Sequence, residues 1–144
     1  MVPFKELKQQ HAEICDLMKV LSILFKDEEV RHSKVTFRLF EELINLLKNH
    51  FSLEDKTLYP NLLIHEDSEV RKVAGHFVSG TKAINQFFTK YAHQWNNPEA
   101  TKKDTASFLR ETEGLFDFLK KRVDAEENQF FAIVEKKELQ AVDC

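Results

Sequence analysis

Residues 50–55 read His-Phe-Ser-Leu-Glu-Asp, a histidine four places before a glutamate in a stretch otherwise patterned as amphipathic helix. Residues four apart on a helix are offset by about 40° and about 6 Å along the axis, so both side chains can reach one site. Arg122 and Glu126 repeat that spacing, and His11 and His76 each interrupt a hydrophobic stripe of their own. Neutral imidazoles and ionised carboxylates are ligands for iron, zinc or manganese. A guanidinium is not, because it is cationic at any usable pH and has no lone pair to give. The competing reading is a buried polar layer in which imidazoles and carboxylates satisfy one another and Arg122 neutralises Glu126. Three histidines and two carboxylates in one layer favour an ion, because burying so many polar groups unpaired is costly.

Helices must carry these residues. The chain has three glycines and three prolines in 144 residues and no alternating run long enough for a strand. The periodicity predicts helix A over 3–27, with Phe4, Leu7, His11, Ile14, Met18, Leu21 and Phe25 on one stripe. Helix B, over 33–62 with Ser33 as N-cap, carries Phe40, Leu43, Leu47, His50, Glu54 and Leu58. Helix C, from Asp67 or Ser68 to about residue 95, lines up Val73, His76, Gly80, Ile84 and Phe87. Helix D, over 103–137, shows Phe108, Leu115, Leu119, Arg122, Glu126, Phe130 and Ile133, and Pro98 falls in a loop before it. Four long helices with short connections read as an all-α, up-down-up-down antiparallel four-helix bundle, one domain over residues 1–144.

The heights agree as well. His11 and His76 each lie about eight residues from the start of their helices, or about 12 Å at the helical rise. In such a bundle those ends share a pole with the ends of B and D. Counted back from there, Glu54 is about eight residues in, His50 about twelve, and the 122/126 pair a little deeper. All six therefore fall in roughly one interior layer.

At these residues the chain resembles the hemerythrin-like, or HHE cation-binding, family over essentially its whole length. The clearest segment is HFSLEDKTLYP, residues 50–60. His11 in QQHAEI matches the first-helix ligand and His76 in AGHFVSG the helix C ligand, with Gly80 where some members carry a second histidine. In RVDAEENQFFA, Glu126 matches a bridging carboxylate, while Arg122 takes a histidine's place and Ala132 a proline's. The resemblance implies a four-helix bundle around a non-haem diiron centre, in proteins that bind oxygen, sense iron, oxygen or nitric oxide, or help repair iron–sulfur centres. The expected metal ligands are His11, His50, Glu54, His76 and Glu126, with Arg122 a cation beside them, placed to stabilise an anionic ligand. Three occupancies stay open: two ions with water completing the poorer one, one ion with Arg122 in place of the second, or none.

Composition narrows the function classes. A net charge of −3 gives no basic footprint for nucleic acid, and no run is long enough to span a bilayer. Cys15 and Cys144 have no metal-knuckle or redox spacing, and MVPFKELKQQ has no apolar leader core, so a cytoplasmic protein is expected. The reading is a hemerythrin-like iron protein, not evidently an enzyme, that takes dioxygen or nitric oxide as its small ligand or handles iron. The alternative is a metal-free helical interaction domain.

Overall fold

The computed structural model describes residues 2–142, with side chains to Lys137, so Cys144 lies outside the described residues. The first helix, α1 (Phe4–Lys26), buries Leu7, His11, Ile14, Met18, Leu21 and Phe25 in the order its periodicity predicts. Ser33 opens α2 (Lys34–Leu53) as an N-cap, its hydroxyl accepting from the Thr36 amide at 3.2 Å. A cap of this kind satisfies one of the free amides of the first turn. Ser33→Ala should therefore lower unfolding stability by about 1 kcal/mol, read as a lower urea midpoint at unchanged slope.

The helix does not stop at Leu53. It passes through a π-helical turn, Glu54–Leu58, into α3 (Tyr59–Leu63), which carries Pro60 in its first turn. The fourth antiparallel element behaves likewise: α7 (Thr105–Ala125) runs through a π-helical turn, Glu126–Phe131, into α8 (Ala132–Val142). A π turn holds one residue more than an α turn and so advances the buried stripe by one position. Leu58 and Tyr59 are accordingly both buried where the first ends, and Phe130 and Phe131 at the end of the second.

Helix C departs from its expected course. It is two helices, α4 (Ser68–Val78), capped by the Asp67 carboxylate, and α5 (Thr81–Gln94), joined at Ser79–Gly80. The inward residues are Val70, Ala74 and Phe77 in α4 and Phe88, Tyr91 and Ala92 in α5, one position away from the stripe through His76 and Phe87. The segment around Pro98, expected as loop, forms a short helix, α6 (Pro98–Lys103), capped by Asn97. The whole is an all-α antiparallel bundle in which α1 packs along α2 and α7, and α3 along α4.

Two apolar cores fill it. One gathers Phe25, Phe40, Trp95 and Phe108, with Phe108 edge-on to the other three at 5.2, 5.4 and 5.3 Å between ring centres. The other gathers Leu7, Tyr59, Val70, Phe77, Phe130 and Phe131. Between Leu7 and Ile14 on α1, and between Leu47 and Leu58 on helix B, lies the polar layer. No helix among the described residues is long and apolar enough to cross a membrane.

Candidate metal centre

His11, His50, Glu54 and Glu126 are all buried, and one ligand atom from each lies within 4.8 Å of the others. The two glutamates open the two π turns, where the helical ladder is already interrupted. His11 and His50 come from the uninterrupted parts of α1 and α2.

The histidines are held from behind. His11 Nδ1 donates to Glu127 Oε2 at 3.2 Å, and His50 Nδ1 donates to Gln10 Oε1 at 2.8 Å. Each bond fixes the tautomer, so both Nε2 atoms are lone-pair ends. Those two atoms nonetheless point at one another, 3.1 Å apart. Two lone pairs cannot satisfy each other; a cation between them can. Burial, the largest influence, lowers His50 and lowers His11 to about 4, so both rings are neutral and free to coordinate near neutral pH. Phe131 stacks parallel on His11 at 5.7 Å and excludes water from that face.

The carboxylates are in the complementary situation. Glu54 Oε2 lies 3.4 Å from His50 Nε2, which has no proton to offer it in this tautomer. Neither Glu54 Oε2 nor Glu126 Oε2 has a hydrogen-bond partner, though both are fully buried. Burial raises Glu54, and burial followed by the neighbouring Glu54 raises Glu126 well above the ordinary carboxyl range. Orphaned buried acceptors of this kind cost about 1–3 kcal/mol each unless something positive reaches them. The donor set thus fits a divalent cation: two imidazole nitrogens and two carboxylates, with cis ligands of such an ion about 3 Å apart.

Arg122 is the nearest positive charge. Its Nε lies 3.4 Å from Glu126 Oε1, its Nη2 donates to the Tyr59 hydroxyl at 2.8 Å and to the Phe77 carbonyl at 3.1 Å, and its guanidinium covers the Phe77 ring at 4.9 Å. It lies beside the layer, as its spacing from Glu126 requires. A narrow cleft of about 10 Å³, on the order of one water position, runs between Thr81, Ile84 and Asn85 to Glu54 and Arg122.

His76 does not join the group. It is exposed, one position before the inward Phe77, with its ring edge-on to that phenylalanine at 5.8 Å. The structure does not bring the expected helix C ligand to the group. The stripe through residue 76 lies one position off the buried one, in which Val70, Ala74, Phe77, Phe88 and Tyr91 follow one another at helical spacing across the Ser79–Gly80 junction and turn His76 outward. Gln10 was missed by sequence reasoning, because its role is a bond to another helix and it lies off the stripe of its own. Glu127, the neighbour of Glu126 in the chain, supports His11. Cys15 is a half-buried free thiol, and His32 and His65 serve helix ends, bonding Thr105 Oγ1 and the Asp67 amide.

Buried histidines and glutamates converging from three antiparallel elements, between two dry cores, mark a cation-binding helical bundle. The family model for the hemerythrin HHE cation binding domain matches residues 2–134, and the chain belongs to that family. No curated protein and no solved structure matches the chain.

Proposed function

We propose that this protein is a non-haem iron-binding protein of hemerythrin type, which holds its cation at His11, His50, Glu54 and Glu126 and takes up dioxygen or nitric oxide there. The observation that carries the reading is the 3.1 Å approach of two lone-pair nitrogens, each locked in its tautomer from behind. Zinc and manganese suit the same donors, but a diatomic ligand favours iron. Ferrous iron, when bound, supplies the electron-rich centre that such a ligand requires. The chain's own residues do the rest. Glu127 and Gln10 aim the imidazoles, Phe131 keeps one face dry, and the cleft at Thr81–Asn85 offers a small ligand its route. A reducing cytoplasm suits the free thiol of Cys15.

Metal analysis of freshly purified protein tests this reading. We expect iron bound in stoichiometric amount, and a melting temperature that falls on chelation and returns with ferrous iron. Protein that neither carries nor takes up iron, zinc or manganese, and melts alike with and without chelator, would instead be a metal-free interaction domain in which the Arg122–Glu126 pair closes the layer.

A further inference from the structure

The carboxylate pair has two sides. Toward α1 and α2 it meets His11 and His50, with one ligand atom of each residue within 4.8 Å of the others, and Glu126 Oε2 is without a partner. On the other side Glu126 Oε1 meets the Arg122 guanidinium, which three further contacts fix in place: the Tyr59 hydroxyl, the Phe77 carbonyl and the Phe77 ring. No imidazole from helix C reaches this second side. His76 is exposed, and Gly80, which does abut the arginine, has no side chain; a Cβ there would lie 3.9 Å from Arg122 Nη1.

We infer that the centre takes a single divalent cation and that the Arg122 guanidinium is its permanent second positive charge. This rests on the cation reading above and adds to it a stoichiometry and a residue that sets it. One dication beside two carboxylates and one guanidinium leaves a local charge of about +1; a second dication would bring it to about +3 in a buried layer, where like charges repel strongly. The guanidinium holds the space and the carboxylate edge that a second ion would need. It is also a cation that chelators cannot remove, so part of the layer stays neutralised in the metal-free protein.

Anaerobic titration of the full chain with ferrous iron, repeated with cobalt(II) as a spectroscopic probe, reads the number of ions directly. The parent should saturate at one equivalent per chain. Arg122→Gln removes the charge and keeps a polar side chain, and should bind that first equivalent at least tenfold more tightly. The double variant Gly80→His, Arg122→His supplies imidazoles on the vacated side. Gly80 has φ −93° and ψ −11°, a conformation any residue adopts, so the added side chain is tolerated. This variant should take up a second equivalent, seen as a second phase in the cobalt spectrum. Two equivalents in the parent would overturn the inference. So would an Arg122→Gln affinity equal to the parent's, or a folded double variant that stops at one ion. No binding by the parent at all would remove the cation reading itself, a different and distinguishable failure.

Discussion

In His50→Ala the cation-dependent part of the protein's stability should disappear. His50 supplies one of the two converging lone pairs, and it is the side chain closest to two other members of the group, 3.1 Å from His11 Nε2 and 3.4 Å from Glu54 Oε2. Loss of a supporting residue around a metal costs about 10–100-fold in affinity, so loss of a direct ligand should cost at least the upper end of that range. With free cation at a hundred times its dissociation constant, binding stabilises the parent by about 2.7 kcal/mol, and a hundredfold weaker variant retains only about 0.4 kcal/mol. For a chain of this length the difference is roughly 5–10 °C in melting temperature. The quantity to compare is the shift between chelated and iron-loaded samples of each protein, which cancels the ordinary cost of truncating a buried ring. Gln10→Ala should show the same loss in weaker form, because it frees the His50 ring without removing it. A His50→Ala protein whose iron-dependent shift equals the parent's would place the cation elsewhere.

Glu126→Gln should act in opposite directions on the two states. Glu126 is 1% exposed, stands beside a second buried carboxyl, and has an oxygen with no partner. The amide has the same shape, carries no charge, keeps an oxygen for Arg122 Nε, and brings two N–H donors toward the equally orphaned Glu54 Oε2. Satisfying a buried acceptor and removing a like charge should raise the stability of the metal-free protein by about 1–3 kcal/mol. The same change removes an anionic ligand and should abolish the gain from iron. A residue that costs stability in the empty fold and returns it on binding is maintained for the ligand. Urea denaturation in the presence of chelator gives the first number, and the same curve with ferrous iron gives the second. A variant less stable than the parent under chelation would mean that Glu126 is held chiefly by Arg122, as a structural ion pair.

Much of this was legible in the residues themselves. The stripes of α1 and, from Phe40 on, of α2 were legible in the sequence, because an unbroken α-helix returns to the same face every three or four residues. The same rule placed His50 with Glu54, and Arg122 with Glu126, before any packing was known. Ser33 and Asp67 announced their helices because a cap is a local bond between a side chain and an amide two or three residues on. Where the ladder changed, the rule failed. The π turns after Glu54 and Glu126 advance the stripe by one residue, and nothing in their composition marks them. In helix C the error reached the site, because the sequence offers two neighbouring stripes and the one through Ala74, Phe77, Phe88 and Tyr91 faces inward, which leaves His76 exposed.

The sequence by itself therefore determined the helices, the pairs within each helix and the donor types available for an ion. Only the tertiary structure decided which of those donors meet. Gln10 behind His50, Glu127 behind His11, and Tyr59 with the Phe77 carbonyl around Arg122 are contacts between helices far apart in the chain. Helical periodicity fixes the direction of a side chain about its own axis. The rotation and sliding of one helix against another are set by the packing of both cores, and no spacing along a single helix records them.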